Sequence, residues 1–174
     1  RAADGKRTLD AVAAIQHTDR WNSFDRFHET TDTLVDFYER AGAQAEVTQY
    51  QTGGRLGTGR WIIQQAQDVR AATIDVVRPF RERVADYKKN PWHIVQWSAA
   101  TPAAGLRCEL VVLESEAELE RMGPDALAGK AVLTSLNIRS LMPRLADKGA
   151  AAAITDIPVK NNPDALAWTK FGWG

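Results

Sequence analysis

The most constraining feature of this sequence is a regular alternation of apolar and amphipathic segments in its second half. Apolar runs at 107–113, 131–134 and 150–155 have the length and composition of strands. The segment at 138–148 has helical spacing, and Gly149 follows it where helices commonly end. Strands joined through such a helix run parallel, with a right-handed crossover. The pattern predicts a β–α–β unit within an α/β fold containing a mixed sheet.

A capping signal precedes the second of these strands. Ser115 and Glu118 have the spacing of a capping box, which predicts a short acidic helix, and Gly123-Pro124 would end that helix. The residues at 125–130 then predict a turn.

The first half predicts two helices, at 8–16 with Thr8 as cap and at 24–41 with Asn22 or Ser23 as cap. Gly42 has the position of a left-handed C-cap. The apolar positions of the second helix recur at spacings of three and four: Phe24, Phe27, Thr31, Leu34, Tyr38 and Ala41. Its opposite side is acidic: Asp25, Glu29, Asp32 and Asp36. We interpret that side as a solvated face, with Asp36 and Arg40 as an i,i+4 ion pair, in preference to a metal or acid–base cluster.

Between these regions the pattern is weaker. Strands are predicted at 45–51, 69–78 and 92–98, with a connector of at most one helical turn from Pro79 to Pro91. The glycine-rich stretch at 53–60 lacks the closing residues of a phosphate-binding loop and predicts a loop or hairpin tip. The tail from Pro158 is predicted to be loop-like, and the whole arrangement contains no internal repeat.

Composition excludes several classes of protein. Lys plus Arg and Asp plus Glu each count 22, so the formal net charge is zero, and nucleic acid is not expected as the obligatory partner. No apolar run reaches the length of a membrane span. A single cysteine excludes an internal disulfide, and nothing distinguishes a cytoplasmic from a secreted chain.

The sequence contains no convincing catalytic set. His17 and Asp19 form an H-x-D pair, but we interpret them as a helix-end and a turn residue. His28 is expected at the surface or half-buried, His93 in an apolar strand, and Cys108 as a small buried hydrophobic residue. There is no G-x-S-x-G or H-E-x-x-H motif and no cysteine pair for zinc.

The second half resembles a protease-associated domain. The resemblance lies in LAGKAVLTS with Gly129-Lys130 before a strand, in the helix MPRLADKGA, and in AAAAITD after Gly149-Ala150. Four other segments are similar to the lead-in of M28-family metallopeptidases: the helix at 24–41, EVTQY, RERVADYKKNPWHIVQWSAATPAAG and the tail NPDALAWTKFGWG. The resemblance implies a lead-in at 1–65 that belongs to a peptidase domain, and a protease-associated domain at 66–174.

In that family a protease-associated domain is inserted in a zinc aminopeptidase-type domain. The resemblance places no zinc ligand or catalytic residue on this sequence, and His17-Thr18-Asp19 precedes the whole lead-in. It therefore implies a truncated chain, with zinc in a catalytic domain that is missing. The expected partner is that domain, with peptide substrate contacted only indirectly.

Three clustered aromatic residues, Trp168, Phe171 and Trp173, predict an apolar surface for missing chain or for a second protomer. Changing both tryptophans to Ser is expected to lower self-association without unfolding. Three functions remain open from the sequence. They are a non-catalytic accessory domain that shapes substrate access or mediates contacts, a stand-alone peptide- or protein-binding module, and a small enzyme using His93 or His28 with a carboxylate.

Overall fold

The computed structural model confirms an α/β protein built from helices and small sheets. It divides into two compact units, one ending at Gln96 and the other beginning at Trp97. The predicted domain boundary at residue 65 stays a prediction. The described strands form four separate small sheets, where the sequence predicted one mixed sheet. The structure describes residues 4–18, 23–50, 56–58, 61–63 and 66–166.

The first unit begins with helix α1, Gly5–Thr18. This helix starts three residues before the predicted cap Thr8, because Asp4 caps it instead. The Asp4 Oδ1 atom accepts from the backbone N–H groups of Lys6 at 3.0 Å and Arg7 at 3.3 Å. Free N–H groups at a helix start need such an acceptor, and an Asp just before the helix supplies it.

Helix α2 spans Phe24–Arg40, as its apolar spacing predicts. Ser23 occupies the N-cap position, but its side chain makes no capping hydrogen bond. The carboxylate of Asp68 accepts from the Phe24 N–H at 3.2 Å. Gly42 has φ of +80° and follows the C-cap, so the predicted left-handed helix end is confirmed.

Two antiparallel hairpins follow in this unit. The first pairs β1, inside the glycine-rich stretch at 53–60, with β2, which follows that stretch; of the predicted alternatives, a loop or a hairpin tip, the described residues form a hairpin. The second, β3 and β4, places a strand inside the segment that we predicted as a connector, so that prediction is wrong there. The strand bounds are Leu56–Thr58 for β1, Trp61–Ile63 for β2, Thr73–Val76 for β3 and Glu82–Asp86 for β4.

Two further strand predictions are wrong. Residues 45–50 are not a strand, because an alternating pattern needs a neighbouring strand and these residues pair with none in the described part of the chain. The segment predicted as a strand at 92–98 begins inside a 3₁₀ helix, Pro91–His93. The Asn90 side chain accepts from the Trp92 N–H at 3.1 Å and starts this turn.

The second unit contains the predicted parallel strands. They form one three-stranded sheet in the order β5-β6-β7, and both neighbouring pairs are parallel. Helix α3 lies between β5 and β6 in the chain, and helix α4 lies between β6 and β7. The bounds are Leu110–Val112 for β5, Glu116–Arg121 for α3, Ala131–Thr134 for β6, Ile138–Asp147 for α4 and Ala152–Thr155 for β7.

A compact core joins these helices to one face of the sheet. Val111, Val132 and Ala153 are the sheet residues that belong to it. They are cross-strand neighbours, because Val111 pairs with Val132 and Val132 with Ala153. The other buried members are Leu113, Leu119, Leu127, Leu141 and Leu145.

The chain leaves α4 through a tight turn. Gly149 has φ of +81°, and a Cβ there would lie 3.1 Å from the Cα atom of Ala128. The neighbouring residue Ala150 forms an isolated antiparallel bridge with Ala128. Glycine is therefore required here both for backbone conformation and for close approach.

The tail is more regular than predicted. Strands β8, Pro158–Val159, and β9, Asn162–Leu166, form a short antiparallel pair, so the loop prediction is wrong for these residues. Trp168, Phe171 and Trp173 lie outside the described residues.

Candidate functional site

The three histidines lie at the surface of the first unit. His17 is in the last turn of α1, as the sequence predicts, and His28 is exposed on α2 beside the ring of Phe27. His93 is exposed in the 3₁₀ helix, with its Nε2 atom 3.0 Å from the Asn90 amide nitrogen. The prediction of His93 in an apolar strand is wrong, because Asn90 and Pro91 start a helical turn instead. All three histidine side chains are therefore exposed to solvent.

Cys108 is a free, half-buried thiol rather than the buried residue that the sequence predicts. It precedes β5 and has no regular secondary structure, so the sheet core does not enclose it. In the described part of the chain, no three His, Cys, Asp or Glu side chains come together as a metal site would require.

The acidic face of α2 is solvated, and its predicted ion pair is confirmed. Asp36 accepts from Arg40 Nη2 at 2.6 Å. Glu29 forms a second pair with Arg26, also at 2.6 Å. All four side chains are exposed, so these pairs contribute little to stability.

A groove of about 380 Å³ lies between α3 and α4. Its cations already have partners: Arg144 contacts the carboxylates of Glu116 at 2.6 Å and Glu120 at 3.4 Å. Lys148 donates to the backbone carbonyl of Met122. These contacts hold α3 and α4 against each other, so the groove is better explained as part of a helix–helix contact than as a ligand site.

The most distinctive surface of the second unit is the sheet face opposite the helices. Side chains alternate along a strand, so the residues flanking Val111, Val132 and Ala153 point away from the core. All six are apolar, and none is buried. They form two cross-strand rows: Leu110 with Ala131 and Ala152, and Val112 with Leu133 and Ile154. We call this surface the open sheet face.

The open sheet face is unusual because parallel sheets are normally covered on both sides. Leu110 is 52% exposed and Val112 is 54% exposed, although both belong to a strand of the sheet. An apolar patch of this kind typically marks a surface for another protein segment. Its position on regular strands gives it a fixed shape.

The first unit has a second uncovered apolar surface, along α2. Helices α1 and α2 contact each other, yet neither contains a buried residue. Among the predicted apolar positions of α2, Thr31 is half-buried, and the four large side chains are between 37% and 59% exposed. We call this surface the α2 seam: Phe24, Phe27, Thr31, Leu34 and Tyr38.

The sequence located the α2 seam but missed the open sheet face. The signal for the latter was present, because LVV, AVLT and AAIT are apolar at adjacent positions and not only at alternate ones. Such runs predict strands that are covered on both faces. Only α3 and α4 alternate with these strands in the chain, and both lie on the core side.

Comparison with family models, with curated proteins and with solved structures finds no match to this chain. Among the residues that the structure describes, no helix is both long and apolar enough to cross a membrane. The two exposed apolar surfaces are the most distinctive features of the residues that the structure describes.

Proposed function

We propose that this chain is a non-catalytic accessory region that binds another protein segment through its uncovered apolar surfaces. The open sheet face is the observation that carries the proposal. A parallel sheet with helices on one side and exposed Leu and Val side chains on the other has an incomplete second layer. Burial of such side chains is worth about 25 cal/mol per Å² of apolar area removed from water, so a matching surface would bind there.

The specific form of the proposal is a protease-associated region of a hydrolase that resembles the M28 zinc aminopeptidases. The order of parallel strands and helices between Leu110 and Thr155 supports it. The tight turns at Gly129 and Gly149 also support this form of the proposal, because these glycines are among the residues that carry the family resemblance. In this proposal zinc and the catalytic residues belong to a peptidase domain, and this region shapes the access of peptide substrates or mediates contacts near the active-site entrance.

The test begins with the open reading frame that encodes the chain. The proposal expects it to encode, beyond these 174 residues, an H-x-D motif and further acidic and histidine zinc ligands. The full product should then contain zinc and hydrolyse aminoacyl p-nitroanilides. The substitution Leu110→Asp in that product should change KM for a long peptide more than KM for the small anilide. A reading frame without these ligands would overturn the peptidase form of the proposal.

A stand-alone binding module is the second candidate. The observation that favours it is the position of β5 at one edge of the described sheet, where Leu110 and Val112 are exposed. An extended peptide can add a strand to such an edge and place alternate side chains against the apolar face. A reading frame that ends at Gly174, combined with peptide binding that Leu110→Asp abolishes, would favour this function.

A further inference from the structure

The loop that joins β3 to β4 combines exposed apolar and basic side chains. The last register pair of this hairpin is Val76 with Glu82, so the loop consists of residues 77–81, VRPFR. All of these residues are exposed, and the exposed fraction is 56% for Phe80 and 45% for Val77. The closed end of the hairpin therefore presents an aromatic and an aliphatic side chain to solvent. We call this loop the basic tip.

The two arginines of the basic tip are available to a ligand. Neither Arg78 nor Arg81 forms an ion pair within the part of the chain that the structure describes, whereas Arg83 is held by Asp75 at 2.8 Å. The basic tip contains no acidic residue. The nearest acidic residues along the chain are Asp75, which is engaged with Arg83, and Glu82, which begins β4. The basic tip thus carries two unpaired positive charges beside its apolar side chains.

This combination favours a surface that offers negative charge and an apolar interior together. Peripheral binding to a membrane increases with the apolar area that enters it and with the attraction of basic residues to anionic lipids. A protein partner is less favoured, because a loop of this size supplies far less than the roughly 800 Å² per partner that a stable interface buries. Nucleic acid is less favoured because one aromatic ring cannot stack successive bases, and a net charge of zero gives no general attraction.

We infer that the basic tip binds the surface of a membrane that contains anionic lipids. Phe80 and Val77 enter the boundary between headgroups and acyl chains, and Arg78 and Arg81 contact lipid phosphates. Arginine suits this contact because its guanidinium group can donate two parallel hydrogen bonds to a phosphate. The inference goes beyond the proposed function and depends on the β3–β4 hairpin alone, not on the open sheet face.

The experiment measures cosedimentation of the whole chain with sucrose-loaded vesicles at about 1 mM lipid, because contacts of this size bind weakly. One set of vesicles is pure phosphatidylcholine, and the other contains about one third phosphatidylglycerol, which is anionic. At about 0.05 M salt, the partition coefficient should be about ten-fold higher for the anionic vesicles. This preference should shrink at about 0.5 M salt, because salt screens exposed charges.

A pair of matched variants tests the arginines. The double variant Arg78→Gln with Arg81→Gln should lose the preference for anionic vesicles. The control, Lys88→Gln with Lys89→Gln, removes the same charge from two exposed residues that follow the other end of β4. It should keep the preference, because the attraction is assigned to the basic tip and not to net charge.

A second pair of variants tests the apolar contact. Phe80→Ser should weaken binding to the anionic vesicles about ten-fold, because the ring no longer leaves water. Leu9→Ser changes an apolar side chain of α1 that is 68% exposed, and it should bind as the unmodified chain does. All of these side chains are exposed, so circular dichroism should show the same helix content in every variant.

Several results would overturn the inference. They are equal partition of the unmodified chain into both kinds of vesicle, binding to neither, and equal losses in the arginine and lysine variants. Binding of a labelled oligothymidylate of about 20 nucleotides, lost in the arginine variant and found without vesicle binding, would assign the basic tip to nucleic acid instead. Zinc content and the reading frame do not enter these measurements, so the proposed function fails by different results.

Discussion

Asp75 and Arg83 face each other across the β3–β4 pair, and they are joined by two hydrogen bonds. Arg83 donates to the Asp75 carboxylate from Nε at 2.8 Å and from Nη2 at 3.2 Å. The two residues are register partners, so the strand pairing itself brings the charges together. These hydrogen bonds are the main reason why the pKa of Asp75 lies below its ordinary value and the pKa of Arg83 above its own.

The first prediction concerns the titration of Asp75. Arg83→Gln should raise the pKa of Asp75 toward its ordinary value, as measured by NMR titration of the side-chain carboxyl. Because the folded-state pKa is the lower one, the pair stabilises the hairpin above the unfolded-state pKa. This contribution is lost as pH falls through the folded-state pKa. The control Arg70→Gln removes the partner of Asp68 and should leave Asp75 unchanged. An Asp75 titration identical in both variants would contradict the assignment.

The second prediction compares two leucines of the second unit. Leu141 is fully buried at 0% exposure, and Leu141→Ala should lower the free energy of unfolding by about 2–5 kcal/mol. Leu110 lies on the open sheet face, and Leu110→Ala should cost less than about 1 kcal/mol. Urea unfolding of both variants, followed through backbone amide signals of the second unit, measures the difference. Equal costs would mean that the open sheet face is covered in the purified chain.

The third prediction concerns Gly149. Gly149→Ala should destabilise the second unit by about 1–2 kcal/mol for the left-handed backbone, with a further cost for the contact to Ala128. Gly129 is the matched control, since it has φ of +69° and a Cβ there would meet nothing within 4 Å. Gly129→Ala should therefore show the backbone cost alone in the same urea experiment. A Gly149 variant no less stable than the Gly129 variant would show that the neighbouring backbone moves aside freely.

The fourth prediction concerns Thr134, which is only 2% exposed. Its hydroxyl donates to the Leu113 carbonyl at 2.8 Å and accepts from the Leu136 N–H at 3.1 Å. Thr134→Val leaves both groups without this partner and should cost about 1–3 kcal/mol. Thr155 is the register partner on β7; it is half-buried, and its hydroxyl accepts from the Ile157 N–H at 3.2 Å. Thr155→Val should cost less in thermal unfolding, and the reverse order would contradict this account.

The sequence predicted best where the determinants are local. The Ser115 hydroxyl accepts from the Glu118 N–H at 3.2 Å, which confirms half of the capping box. The Glu118 carboxylate accepts from the Glu114 N–H rather than from that of Ser115. Gly42 and Gly149 also end their helices as predicted, because a left-handed residue is required whatever the surroundings.

The sequence predicted poorly where pairing decides the structure. The segment Glu82–Asp86 has mixed charges and no clear alternation, yet Arg83 and Asp75 pair across the ladder and hold it as a strand. Residues 45–50 alternate well but have no strand partner in the described regions. The open sheet face was missed for a related reason, since periodicity shows which side chains share a face but not whether anything covers it.

The central position of β6 has a consequence for the way the second unit opens. Its amides are flanked by hydrogen-bonded neighbours on both sides, whereas β5 and β7 each have one neighbour among the strands that the structure describes. Opening either outer strand leaves β6 paired with the other, so we expect amide hydrogen exchange to be slowest at Val132 and Leu133. Partial opening would start at β5, the strand that exposes Leu110 and Val112. A bound partner on that strand would slow exchange there first, so exchange rates along the three strands would report occupancy without any label.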